Sequence, residues 1–430
     1  SMHASMKSTQ SWRWSLPLAL FLVIVLAGCR DSPPPSVDAG AEREVAPASG
    51  GHPTVIQAQH ESIPKNKGLG ADLRPHAQTS EQESQPRLSL LIWEDYLAPE
   101  ALARFEREHG VMLLATEVDN SEQLKQTLSS RPSDFDLIVA DEQTLRELDD
   151  LKLLRDLTPA LLGDTFPETE SFLAPAAVRG NRRSVPYLWG LTVLAGRSEV
   201  FRSAEPSWNL LWREDLRIAL LDEPSDLIWV ALLALGHDPA TATKEQIDKA
   251  ADRIERRFPK LVERMRDPIS GLDALEIGEV DLVVTYNGDA LLRAAQNPAL
   301  KVVLPKEGAP LWVDSFAVAR DAPSPELAQR FIRFMSSPEV SAETSKTLLY
   351  ASPNPAARAR LEPVLLANPV LYPPEAAIEK CRFVRFDPGV EKHVHQAIIR
   401  LVTSDRGMAM DSGKAAAPTW RRPVEPSPVD

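Results

Sequence analysis

The sequence predicts an α/β protein built as two lobes, and three observations lead there. Short apolar runs alternate with amphipathic stretches through the middle of the chain, the pattern of strands linked by crossover helices into mostly parallel sheets. That alternating region is longer than one hydrophobic core usually supports, so two lobes are expected, each with its own sheet. A chain of 430 residues with 43% hydrophobic content also has the apolar material for cores of that size.

At the N-terminus, Lys7 and Arg13 precede an apolar run from Leu16 to Leu26 that ends in Ala27, Gly28 and Cys29. The run falls short of the roughly 20 residues a membrane-spanning helix needs, so it reads as an export signal. Its Leu-Ala-Gly-Cys ending resembles the lipobox of bacterial lipoproteins, in which the cysteine is lipidated and becomes the new N-terminus. Residues 1–29 are therefore expected to be a lipoprotein signal peptide with Cys29 as the lipidation site. Arg30 carries no retention aspartate, which leaves the anchoring membrane, inner or outer, open. Cys381 then has no disulfide partner and is expected to be a buried thiol. No His or Cys stands near it at metal-ligand spacing, and neither a metal nor a cofactor is expected. Residues 30–86, rich in Pro, Ser, Ala, Gln and His, read as a flexible tether with a reach of about 40 Å. Residues 411–430, with four prolines, read as a disordered tail.

Strands are expected over 88–93, 111–116, 136–139, 191–195, 217–221, 281–285, 301–304 and 314–319. Pro99 and Gly110 bracket one helix, Thr243 with Gln246 forms a capping box for another, and Ser324-Pro325 and Ser337-Pro338 each open a further one. An apolar helix is expected over 227–235.

Acids and aromatic rings recur where these strands end. Trp93, Glu94, Asp95 and Tyr96 close the first strand; Asp222, Glu223 and Asp226 follow the strand at 217–221; Tyr286, Asn287, Gly288 and Asp289 follow the strand at 281–285; Trp312 and Asp314 enter the last. Tyr350 lies just beyond a helix. Carboxyl ends of strands are where open α/β sheets gather ligand-binding loops, so these segments are expected to meet at one site. Singly, each ring reads more simply as a core aromatic, and Asp226 as a helix-dipole partner; the repetition is what favours a site. Carboxylates would accept hydrogen bonds from a primary ammonium while ring faces attract the cation and cover methylenes. The balance of 61 acidic against 48 basic residues, net −13, speaks against nucleic acid as a partner.

In combination and order, Ile92-Trp93-Glu94-Asp95-Tyr96, Phe135 to Val139, Val185 to Gly190, Tyr286-Asn287-Gly288, Leu304 to Gly308, Trp312 to Ser315 and Ser352-Pro353-Asn354 resemble the spermidine/putrescine-binding proteins of bacterial polyamine ABC transporters. The resemblance runs from about Leu88 to Val402 and implies the two-lobed, hinged fold of type II periplasmic binding proteins, with the ligand between the lobes. It implies that Trp93, Asp95, Tyr96, Asp141, Glu223, Asp226, Tyr286, Trp312, Asp314 and Tyr350 line the ligand. The first lobe would comprise 87–189 and 313–358, the second 190–312 and 359–410, with 185–190 and 305–312 as crossings. Against the family pattern, Glu94 replaces a small hydroxyl residue, Asp141 a serine and Gln143 an aromatic. The expected partners are a polyamine, the permease subunits of an ABC transporter and, through lipid, a membrane facing the periplasm; the protein is expected to be a monomer and not an enzyme.

Three other readings compete with this one. Paired acids beside aromatics also describe a glycosidase, but the acids outnumber what that chemistry needs and no nucleophile or phosphate-loop motif accompanies them. A ferric-ion site would want clustered tyrosines, and no two of the five are adjacent. An amine-sensing lipoprotein presenting its ligand to a signalling or surface partner, or a binder of another small organic cation, fits the same residues.

Overall fold

The computed structural model describes residues 85–93, 96–118, 120–163, 169–178, 180, 182–202 and 205–403. The signal peptide, Cys29, nearly all of the tether, the tail, and Glu94 and Asp95 lie outside the described residues. Among those described, no helix is long and apolar enough to cross a membrane.

Ten strands carry the fold: β1 Arg87–Trp93, β2 Met112–Val118, β3 Leu137–Asp141, β4 Val185–Arg197, β5 Ile218–Leu221, β6 Met265–Arg266, β7 Leu282–Tyr286, β8 Leu300–Val303, β9 Pro310–Val318 and β10 Arg382–Phe383. β1 lies between β2 and β3, parallel to both. The helix Pro99–His109 makes the first crossover, opened by Pro99 and stopped at Gly110, whose φ of 63° lets its N–H close back on Glu106. The other local signals hold as well. Thr243 and Gln246 close a reciprocal capping box on Lys244–Arg257, Ser337 caps Pro338–Leu348, and the apolar helix runs Pro224–Ala234. Ser324 precedes Pro325–Met335 without capping it; its backbone N–H donates to the buried Asp136 at 2.5 Å instead.

Two expectations about the sheets need correction. Pairing is mixed rather than mostly parallel, because β9 runs antiparallel to β3 and β4, and β4 antiparallel to β7 and β8. Nor does each lobe keep a separate sheet, since the hydrogen-bonded order is continuous, β2-β1-β3-β9-β4-β7-β5-β6. The reason is β4. Its 13 residues, buried throughout except at Pro186 and Arg197, reach about 40 Å at roughly 3.3 Å per residue. Val185–Leu191 pairs with β9, and Thr192–Arg197 with β7 and β8. Residues 185–190, expected as a bare crossing, are thus the first half of a strand. Pro186 and Gly190 disguise it: Pro186 sits at an irregularity in the β4–β9 register, where a missing N–H is tolerated, and a Cβ on Gly190 would collide with Trp312.

Apolar side chains gather in two large clusters. The first joins β1, β2 and β3 to Phe105, Leu124, Leu145, Phe316 and Phe331; the second joins Leu191, Trp208, Leu220, Ile228, Ile247, Leu282 and Leu401. β4 passes from one to the other between Leu188 and Trp189, and β9 between Val313 and Phe316. Cys381 is buried in the second cluster, its thiol pushed up to about 11 by desolvation.

Candidate functional site

Asp314 lies on β9 where that strand changes core. It is directly opposite Asp141, the last residue of β3, on one side and Leu188 on the other. Opposed residues of an antiparallel pair share a face, and like charges there repel. The two acids are held differently. Asp141 caps the helix Glu142–Asp150: its carboxylate accepts from Thr144 N at 2.9 Å, Thr144 Oγ1 at 2.5 Å and Ser121 Oγ at 3.2 Å. Asp314 is 7% exposed, with the Tyr96 hydroxyl and the Trp93 indole close enough to favour its ionised form. Desolvation, and then the charge of Asp141, push its carboxyl up to about 8 against those donors.

The second group of acids opens the helix Pro224–Ala234. Glu223 occupies the capping position without its side chain capping, which leaves the carboxylate free to project. Glu223 is exposed at the surface, although protein surrounds it at longer range. Desolvation and the charges of Asp226, Asp141 and Asp222 raise it to about 8. Asp226, raised to about 6 by burial, accepts from Thr192 Oγ1 on β4 at 2.7 Å. No lysine, arginine or histidine among the described residues moderates Glu223, Asp226 or Asp314.

Aromatic rings form the remaining wall. Trp312 meets Tyr286 at 5.3 Å and Tyr350 at 5.1 Å between centroids; Tyr350 meets Tyr96 at 5.8 Å, and Tyr96 meets Tyr187 at 5.6 Å, each edge to face. Glycines make the approach possible, since a Cβ on Gly288 would stand 2.5 Å from the Tyr350 ring. The buried Trp312 indole N–H has no hydrogen-bond partner among the described residues.

Nine of the ten residues singled out in the sequence, Trp93, Tyr96, Asp141, Glu223, Asp226, Tyr286, Trp312, Asp314 and Tyr350, therefore form one connected cluster at the seam between the cores; Asp95 lies outside the described residues. Three of the nine have polar atoms engaged by protein: Asp141 as a cap, Asp226 through Thr192, and Tyr350, 4% exposed, whose hydroxyl donates to Asp289 at 2.8 Å. Three participants stand outside the expected ligand-lining set, although Asp289 belongs to one of the acid-aromatic segments recognised in the sequence. Asp289 reads locally as a first-turn acid of the helix Asn287–Gln296, yet burial raises it to about 6. Tyr187, donating to Tyr96 O at 3.0 Å, and Thr192 are ordinary strand residues until β4 is placed. Among the described residues no group of three His, Cys, Asp or Glu side chains is arranged to hold a metal ion. What the cluster offers is a group of carboxyls with no counterion among the described residues, faced by rings: a setting in which an organic cation would draw the acids into their ionised form.

Residues 100–371 match the family described as bacterial extracellular solute-binding protein. The spermidine/putrescine-binding periplasmic protein of Salmonella typhimurium is 28% identical over 303 residues, 67% of this chain and 83% of the relative. The putrescine/agmatine-binding protein of Pseudomonas aeruginosa is 27% identical over 314 residues, 67% of this chain and 84% of the relative. Among solved structures, a putative spermidine/putrescine ABC transporter protein from Listeria monocytogenes superposes with a TM-score of 0.64 at 23% identity, covering 73% of this chain and 98% of that one.

Proposed function

This chain belongs to the bacterial extracellular solute-binding proteins, whose role is binding rather than catalysis, and we propose that its solute is a polyamine of the putrescine or spermidine kind, delivered to the membrane subunits of an ABC transporter. The observation that carries the reading is the set Glu223, Asp226 and Asp314, all raised by desolvation, Glu223 and Asp314 also by neighbouring carboxylates, with no cation among the described residues in reach. A charged hydrogen bond contributes about 1.5–3 kcal/mol and a cation-π contact about 0.5–2 kcal/mol, so several must act together to offset desolvation of an ammonium. A linear diamine meets that need with an ammonium at each end and methylenes against the rings.

In this reading Trp93, Asp95, Tyr96, Trp312 and Asp314 receive one end, and Glu223, Asp226 and Tyr286 the other. Asp141 acts through its field and Tyr350 by backing Trp312. The lobes are 87–189 with 313–358 and 190–312 with 359–410, and closure about their crossings completes the cage. The protein works in the periplasm as a monomer, held to a membrane by lipid on Cys29; the Leu-Ala-Gly-Cys ending supports the anchor.

Calorimetry with putrescine, spermidine and butanediol tests the solute. Both amines should bind and the uncharged diol should not; equal binding of the diol would sink the reading. Replacing Cys29→Ala should move the protein from the membrane to the soluble fraction of the producing cell, and retention on the membrane would rule out the anchor.

A further inference from the structure

We propose that Glu142 and Arg385 form a clasp across the two cores that slows escape of the bound solute without touching it; the inference rests on the amine-capture reading above. Glu142 directly follows Asp141 and lies on the helix Glu142–Asp150, whose Leu145 and Leu148 pack in the first core. Arg385 follows β10 on the other side, flanked by Phe383 and Phe386, which pack against the second core; the Phe386 ring stands edge-on to Trp229 at 5.4 Å.

Arg385 Nε donates to Glu142 Oε1 at 3.1 Å while Nη2 donates to Oε2, a two-pronged fork between groups 243 positions apart. Nη2 also donates to the Pro175 carbonyl at 2.8 Å. Arg146, one turn beyond Glu142, approaches Glu142 Oε2 at 3.5 Å and donates to the same Pro175 carbonyl at 2.6 Å. The Phe383 ring lies 5.1 Å from the Arg385 guanidinium. The Glu142 side chain is 12% exposed and that of Arg385 44%, so the pair is shielded on its acidic side, unlike Arg202 with Glu199 at 72% and 64%.

The position gives the bond its consequence. Asp141, Glu223, Asp226 and Asp314 meet in this cage, and those that are ionised repel one another across the two halves. The fork opposes that push from one residue away, using attraction that owes nothing to the solute. Removing it should leave encounter with the amine untouched and shorten the stay.

The test is stopped-flow tryptophan fluorescence on the full chain with putrescine and spermidine as probes. Glu142→Gln and Arg385→Gln should each speed release about tenfold, with association within about twofold of the parent. The double variant should release no faster than either single one, and the exchanged pair Glu142→Arg with Arg385→Glu should recover slow release. Parental release rates in the single variants, or additive effects in the double, would overturn the clasp. If the parent captures neither amine, the solute reading has failed instead. The clasp is then judged by small-angle scattering of the empty proteins: a larger radius of gyration for Arg385→Gln supports it, and equal radii overturn it.

Discussion

Replacing Asp314→Asn should make the empty protein more stable at alkaline pH while weakening its hold on an amine. The carboxyl is raised from an ordinary 3.8 to about 8. An acid raised on folding holds its proton more tightly in the folded state, so its stabilising contribution is complete below pH 4 and is lost as pH climbs towards 8. Four units at 1.36 kcal/mol each set an upper bound of about 5 kcal/mol, and water drawn to a 7%-exposed group reduces it to roughly 2–4 kcal/mol. Asparagine keeps the size and a carbonyl acceptor but never ionises. Urea unfolding without ligand should therefore find variant and parent within about 1 kcal/mol at pH 4.5, and the variant ahead by about 2–4 kcal/mol at pH 8.5. Calorimetry with putrescine should show about 10- to 100-fold weaker binding, the loss of one charged hydrogen bond of about 1.5–3 kcal/mol. A variant less stable than the parent at pH 8.5, or one that binds putrescine as well, would refute the reasoning.

Amine binding near neutral pH should expel protons, because Asp314 and Glu223 at about 8 must ionise to meet an ammonium; calorimetric heats that do not vary with buffer ionisation enthalpy would contradict this, as would affinity that fails to fall between pH 8 and pH 6. Asp141→Asn keeps a capping side chain and removes a charge facing Asp314, so the pH midpoint of binding should move to lower values with little change in thermal midpoint. Gly190→Ala forces a methyl group against Trp312; both thermal midpoint and putrescine affinity should drop, and an unperturbed variant would show that the ring has room to move.

The starts of helices were legible because their causes are local: Pro99, Thr243 with Gln246, and Ser337 each act within a turn of chain. The gathering of Trp93, Glu223, Tyr286 and Asp314 was legible for a different reason, that acids and rings at strand ends fit few structural needs. What stayed hidden depends on distant partners. β4 looks like a short strand after a crossing until β9 is laid beside it, and a proline and a glycine hide its first half. Asp141 is an acid at a strand end whether it caps a helix or greets a ligand, and only Thr144 and Ser121 settle which atoms are occupied. Asp289 resembles any first-turn acid until the Tyr350 hydroxyl reaches it. No local signal pairs Glu142 with Arg385.

The passage of β4 and β9 from one core into the other constrains how this molecule can come apart. Neither half can melt without fraying ladder bonds that the other half also uses, so heating should produce one calorimetric transition rather than two. By the same token, severing the chain near Gly190 would leave each fragment with an unpaired edge, and neither would be expected to fold alone.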